Sequence, residues 1–168
     1  MADPRDRAVR LADHASAECA CGGLRRASRA ISKLYEGALA PFDLTATQFT
    51  MLVALRLRGE VPLSRLAQRL GLDRTSLYRA VRPLERRGAL AVGPGQTPRE
   101  RAAELTPAGR RLIEEALPVW EQTQERFVAA LGPRSWEALR SAIARVEPAV
   151  HAAAASSSPT GRSGPRRR

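Results

Sequence analysis

The chain has 168 residues, of which 43% are hydrophobic and 4% aromatic, and a formal net charge of +11. This length is enough for one domain with its own hydrophobic core. The strong positive charge indicates a polyanionic partner. No apolar run reaches the roughly 20 residues of a membrane span, and the first residues lack the apolar stretch of a signal peptide. The sequence therefore predicts a soluble, cytoplasmic protein without a membrane partner.

The first third of the chain is predicted to be helical. Residues 1–14 are charged and are expected to be mobile. A long helix should follow over residues 15–40, because Pro41 cannot continue it. Thr45 and Gln48 stand in capping-box spacing, which predicts the start of a second helix.

Residues 62–106 follow the pattern of a helix-turn-helix completed by a hairpin. Apolar residues recur at helical spacing over Leu63–Leu70, and Gly71 can take the left-handed conformation that ends a helix. Asp73 is a suitable N-cap for the helix that follows. The dipeptide at 94–95, proline and glycine, marks a turn between two short strands. This order predicts a winged helix-turn-helix, whose second helix, the recognition helix, enters the DNA major groove.

One face of the recognition helix is predicted to contact DNA. Leu77, Val81 and Leu84 form an inward stripe, which leaves arginines, hydroxyls and one aromatic ring on the outside. Arginine binds phosphates and guanine, and serine or threonine can pair with several base edges. Residues 45–105 hold eleven arginines against five acids. The predicted major-groove contacts are Arg74, Thr75, Ser76, Tyr78, Arg79 and Arg82.

Two more helices are predicted after the hairpin, over residues 107–149. Thr106 is a suitable cap and proline fits the first helical position that follows it. Pro118 is expected to interrupt the first of these helices, and Gly132 to separate the two. Residues 151–168 are basic and of low complexity, so they are expected to be disordered.

Taken together, these motifs resemble the MarR family of transcriptional regulators. The resemblance covers about Ala17–Val146, and it rests on LAQRLGLDRTSLYRAVRPLERRG, on LTPAGR and on the upstream CGGLRRASRAISKLYEGALAPFDLTATQFTMLVAL. It implies a mainly α-helical fold with a small β-hairpin wing, as one domain over residues 15–150 with its DNA-binding lobe at about 45–106. The wing departs from the family, because Thr97 stands where the acid of an Asp-x-Arg pair is usual.

The resemblance also implies a homodimer on an inverted-repeat DNA operator. The helices at 15–40 and 107–149 would interlock with a second subunit, and Arg99 and Arg101 would meet the minor groove. The alternative is an intramolecular core made from the same apolar residues. The predicted interface residues are Trp120, Phe127, Leu131, Trp136, Leu139 and Ile143.

Two ways of releasing DNA stay open. In the first, an unknown small-molecule effector binds between the dimer helices and the DNA-binding lobe, against Leu24, Ala27, Tyr35, Phe42 and Phe49. In the second, Cys21 acts as in the organic-hydroperoxide-sensing branch of the family, although Arg25 stands where one tyrosine partner would be. Reactive thiols lie in exposed, electropositive surroundings, whereas many small cysteines pack inertly. We expect Cys21 to be structural, with Cys19 two residues before it.

No enzyme site, metal site or cofactor is predicted. His14 and His151 lie in or beside segments expected to be mobile, so no histidine base or metal pair can be assembled. Two other classes of function stay open. One is a weakly specific architectural DNA-binding protein, which the basic tail favours, and the other is an RNA-binding module, for which Tyr78 is the one outward aromatic.

Overall fold

The structure, a computed structural model, describes residues 4–97 and 100–156. Helices make up most of these residues, and a 3-10 turn at Ala40–Phe42 joins the second helix to the third. The mainly α-helical fold with a β-hairpin wing, predicted from the sequence, is confirmed. Within the described residues the elements are α1 (Pro4–Glu18), α2 (Ala20–Leu39), α3 (Ala46–Arg58), β1 (Val61–Pro62), α4 (Leu63–Arg69), α5 (Arg74–Arg86), β2 (Leu90–Pro94), β3 (Arg101–Leu105), α6 (Pro107–Leu131) and α7 (Pro133–Ser156).

Strand β3 is the middle strand of a three-stranded antiparallel sheet with the order β1-β3-β2. Val61 pairs with Ala103, and Leu90 pairs with Leu105. Strands β2 and β3 form the predicted hairpin. Strand β1 was not predicted, because two residues are too few to show the alternation that marks a strand.

The described residues fall into two compact units, divided between Thr123 and Gln124 within α6. The first unit has a continuous hydrophobic core to which α2 to α6 and the sheet contribute. Because these elements share one core, burial of large apolar side chains, each worth roughly 1.5–3 kcal/mol, sets the orientation of α5. The largest fully buried side chains are Leu39, Met51, Leu52, Leu55, Leu66, Leu77, Leu84, Leu90, Ile113 and Val81.

Capping interactions define where the helices of this unit begin. Thr45 and Gln48 form the predicted capping box at the start of α3. At the start of α6, the Thr106 hydroxyl accepts from the Gly109 N–H at 3.0 Å and donates to the Gly88 carbonyl. Gly109 packs so closely on the residue that precedes β2 that an added Cβ would overlap the Ala89 carbonyl oxygen.

The chain ends differ from the sequence-based expectation. Residues 4–14, expected to be mobile, belong to α1, whose alanine, arginine and leucine are good helix formers. The predicted helix over 15–40 is two helices, because Cys19 between them has an extended backbone, with φ −66° and ψ 105°. Residues 151–156, expected to be disordered, continue α7 through an alanine run. The predicted disorder of residues 157–168 concerns residues outside the described part of the chain.

The second unit contains the end of α6 and all of α7. The rings of Phe127 and Trp136 meet edge to face, with their centroids 5.9 Å apart. Helix α6 continues through Pro118, where the sequence predicted an interruption. Among the described residues, no single helix is long and apolar enough to cross a membrane, and one pair of helices, bent by 71°, meets the criterion only when taken together.

Candidate nucleic-acid interface

Helix α5 begins at a well-formed cap. The Asp73 carboxylate accepts from the backbone N–H of Ser76 and from its hydroxyl, both at 2.8 Å. The backbone hydrogen bond from Ser76, together with the hydroxyl bond, lowers the pKa of the Asp73 carboxyl below its ordinary value. Ser76, predicted to contact DNA, therefore has its hydroxyl proton directed at Asp73, and its side chain helps to start the helix.

The outward face of α5 is an open depression rich in arginine. The inward residues Leu77, Val81 and Leu84 are at most 2% exposed, which fixes the rotation of the helix about its axis. The Arg74 guanidinium lies 5.8 Å from the centre of the Tyr78 ring, within cation–π range. The residues that line the depression are Arg74, Thr75, Tyr78, Arg79, Arg82, Pro83 and Arg86.

This depression brings together five of the six predicted major-groove residues and adds one arginine. Arg86 was missed by sequence reasoning, although its spacing of four residues from Arg82 puts both on the same side of the helix. Among the residues that the structure describes, no carboxylate lines the depression. Four guanidinium groups without an acid among them form a surface of high positive potential, which suits a phosphate backbone and guanine edges.

The wing closes through backbone hydrogen bonds. The Gly95 N–H donates to the Glu100 carbonyl at 2.8 Å, and the Glu100 N–H donates to the Thr97 carbonyl at 3.0 Å. Arg101 is exposed, and its Nη2 donates to the Val92 carbonyl at 3.1 Å, which holds the side chain across the hairpin. Arg99, the other predicted wing contact, lies outside the described residues.

A second depression joins the wing to the recognition helix. Arg74 and Tyr78 from α5 share it with Thr97, Glu100 and Arg101 from the wing. The two predicted DNA-contacting elements are thus parts of one surface. The half-buried Glu100 was missed by sequence reasoning, and no local signal marks it, because most of the residues that line this depression with it come from α4 and α5.

The predicted effector-contacting residues have different surroundings within one chain. Leu24 is 46% exposed on α2, where Ala27 is exposed as well. Tyr35 and Phe42 are partly buried against the core, and burial raises the pKa of the Tyr35 phenol, so it stays protonated at neutral pH. Phe49 is 5% exposed, and its ring stacks on Trp120 with centroids 5.9 Å apart.

Both cysteines are exposed in the single chain. The Nη2 of Arg25 lies 3.9 Å from the Sγ of Cys21. Cys19 occupies the break between α1 and α2. Because Cys21 is exposed, the structure of one chain does not support the expectation that it packs as a structural residue.

Large apolar side chains are exposed on the helices outside the winged lobe. On α2, Leu24 and Leu34 are each close to half exposed. None of the 24 residues of α7 is buried, although its sequence is rich in alanine and includes Ile143, Val146 and Val150. Leu131, Ile143, Val146 and Val150 are 38%, 52%, 36% and 59% exposed, respectively.

Comparison with known proteins identifies similar chains. A family model described as MarR family matches residues 44–93. The M. tuberculosis transcriptional regulator MosR, solved in complex with DNA, is 37% identical with a TM-score of 0.72, and the match covers 81% of this chain and 98% of MosR. Bordetella bronchiseptica BpsR, whose DNA binding is regulated by 6-hydroxynicotinic acid, is 28% identical with a TM-score of 0.69, over 77% of this chain and 99% of BpsR. A probable transcriptional regulator from Pseudomonas aeruginosa is 26% identical with a TM-score of 0.69, over 77% and 97%. No curated protein matches.

Proposed function

Because the chain belongs to the MarR family of transcriptional regulators, we propose that it is a homodimeric, sequence-specific DNA-binding repressor that a small ligand releases. The observation that carries the proposal is the outward face of α5, where four arginines line one open surface without an acid. The DNA complex of the 37% identical MosR supports the same partner. Binding of chromosomal DNA would occur in the cytoplasm.

The recognition helix occupies the major groove in this proposal. Arg79 and Arg82 lie in the middle of its exposed face, where they can reach base edges, and arginine pairs in bidentate fashion with guanine. Thr75 and Tyr78 supply hydroxyls beside them. Arg101, with Arg99, contacts the adjacent minor groove or its phosphates, since the wing continues the surface of α5.

A second copy of the chain covers the exposed apolar side chains of the terminal helices. Burial of the exposed side chains of Leu34, Ile143 and Val150 in a dimer would stabilise it, by about 25 cal/mol per Å² of apolar surface. Dimerisation also follows from the geometry of DNA, because one helix contacts only a few base pairs. Two recognition helices placed roughly 34 Å apart would contact two half-sites of an inverted repeat.

The effector is proposed to be a small aromatic molecule. BpsR, regulated by 6-hydroxynicotinic acid, supports this class of ligand. The binding site would use Leu24 and Ala27 of α2, exposed in one chain, with Tyr35 and Phe42 at its base. Phe49, already stacked on Trp120, would form its inner wall. Ligand binding would change the separation of the two recognition helices.

Oxidation of Cys21 is a second candidate for the release step. It is favoured by the exposure of Cys21 and by the Arg25 guanidinium 3.9 Å from its sulfur. An exposed thiol beside a cation is accessible to hydroperoxide, and reactive cysteines occupy such surroundings.

Footprinting on the intergenic DNA next to the gene tests the main proposal. A sequence-specific dimer protects one bounded site centred on an inverted repeat. A weakly specific architectural protein would instead protect DNA without a boundary, and an RNA-binding module would prefer single strands. Gel shifts of the protected duplex with 6-hydroxynicotinic acid and other aromatic carboxylic acids then test the ligand class.

A further inference from the structure

A second arginine-rich groove lies on α4, apart from the outward face of α5. Its apolar floor is β1, and its polar lining comes from the end of α3, the turn that follows and the exposed side of α4. The polar residues are Arg58, Glu60, Arg65, Gln68 and Arg69. We call this surface the α4 groove.

The α4 groove points in a different direction from the surface formed by α5 and the wing. Ser64 and Ala67 of α4 line the depression shared with Arg74 and the wing, whereas Arg65 and Arg69 line the α4 groove. With 3.6 residues per turn, Arg65 and Arg69 project roughly 100° or more around the helix from Ser64. A duplex in contact with α5 would therefore meet the two surfaces at different places.

The arginines of this groove are not neutralised by the described part of the chain. Arg58, Arg65 and Arg69 are exposed, and none of them forms an ion pair with a carboxylate of residues 4–97 or 100–156. Glu60 is the one acid that lines the groove. Arg65 and Arg69 are four residues apart, a spacing at which like charges destabilise a helix. A bound polyanion would offset that repulsion.

We propose that the α4 groove binds the sugar-phosphate backbone of DNA flanking the operator, outside the base pairs that α5 contacts. The proposal rests on the proposed function. The first helix of a helix-turn-helix lies across the DNA backbone when the second lies in the major groove, which brings α4 towards phosphates. A planar guanidinium with five N–H donors suits phosphate oxygens. The Cβ atoms of Arg65 and Arg69 are about 5–6 Å apart, so their side chains can reach successive phosphates of one strand, which rise by about 3.4 Å per nucleotide along the helix axis.

The test compares two duplexes and two triple variants. One duplex is trimmed to the base pairs of the inverted repeat alone, and the other carries about ten further base pairs, one helical turn, on each side. The variant Arg58→Gln/Arg65→Gln/Arg69→Gln removes the charge of the α4 groove. The control Arg111→Gln/Arg134→Gln/Arg145→Gln removes the same charge from exposed positions of α6 and α7. Affinity is measured over a series of KCl concentrations, with a thermal melt of each protein.

We expect the groove variant to lose at least about tenfold affinity for the extended duplex and less than about twofold for the trimmed one. Its salt slope on the extended duplex should fall by roughly 2 to 3, because each phosphate contact contributes about 0.9. The control should keep the parent's slope on both duplexes, and the triple Arg→Lys variant at the groove positions should restore it. Equal losses on both duplexes, or no loss specific to the groove variant, would overturn the proposal. Failure of the parent to bind the trimmed repeat would instead overturn the proposed function.

Discussion

Arg87, directly after the recognition helix, is bonded to the backbone of Asp43 in the turn between α2 and α3, with Nη1 donating to the Asp43 carbonyl at 2.9 Å. Its Nη2 donates to the neighbouring Phe42 carbonyl, also at 2.9 Å. Asp43 has a left-handed backbone, with φ 51°. One guanidinium thus connects the end of α5 to the turn that follows α2. Helix α2 also carries proposed effector contacts.

Arg87→Ala should lower the free energy of unfolding by about 1–2 kcal/mol, because two carbonyls lose a charged donor. The control is Asp43→Asn. The Asp43 carboxylate lies 3.7 Å from Arg87 but is fully exposed, and such a surface pair contributes roughly 0–1 kcal/mol. Denaturant unfolding measures both variants. Equal losses would mean that the ion pair, and not the backbone contacts, accounts for the effect of Arg87.

Gly109→Ala should destabilise the winged lobe, by about 1–3 kcal/mol, as overpacking does. The added Cβ overlaps the Ala89 carbonyl oxygen, which belongs to the backbone and cannot rotate away. Gly37→Ala is the matched control, because a Cβ at that helical position meets open space, and alanine in a helix gains roughly 0.5–1 kcal/mol over glycine. Thermal melts should shift in opposite directions. A melting temperature unchanged by Gly109→Ala would contradict the close packing of α6 on the Ala89 backbone.

Arg79→Ala should weaken operator binding by roughly 1–3 kcal/mol if the side chain contacts a base. Its melting temperature should stay near that of the parent, because the residue is exposed on α5. Gel-shift titration gives the affinity, and Arg111→Ala, also exposed but on α6, controls for the lost charge. Operator affinity equal to that of the control would remove Arg79 from the interface.

A charge at Ile143 should prevent dimerisation. Ile143→Glu places a carboxylate at a position whose side chain is 52% exposed in the single chain. The variant should therefore fold as a monomer and lose specific DNA binding. Sedimentation at micromolar concentration measures the mass, and Ala144→Glu, an exposed neighbour, shows whether any charge on α7 has the same effect. A parent that is monomeric and still protects a full inverted repeat would contradict the proposed assembly.

Cys21→Ser should bind the operator within a few fold of the parent. The exposed thiol lies on α2 and lines neither of the depressions beside the recognition helix. Binding is measured before and after stoichiometric organic hydroperoxide, with Cys19→Ser as the neighbouring control. If ligand release is the mechanism, hydroperoxide leaves both the parent and Cys21→Ser on DNA. Release of the parent alone would instead establish oxidation of Cys21 as the switch.

Local sequence patterns were sufficient to predict the winged helix-turn-helix. Its signals are local: the 3.6-residue periodicity of α4 and α5, the caps at Thr45 and Asp73, and the turn after Pro94 each act over a few residues. The inward stripe of α5 also determined which of its side chains face outward. The ends of the chain were harder to predict, because charge and low complexity indicated disorder where alanine-rich helices form.

Contacts between residues that are distant in the sequence could not be predicted and are seen only in the folded chain. Strand β1 pairs with β3 about forty residues away, Arg87 bonds to Phe42 and Asp43, and Gly109 packs on Ala89. The α4 groove likewise combines α3, β1 and α4. Sequence periodicity does not predict such contacts, because they depend on how the shared core orients elements that are separate in the sequence. A shift of one residue in that packing would bring different residues into contact.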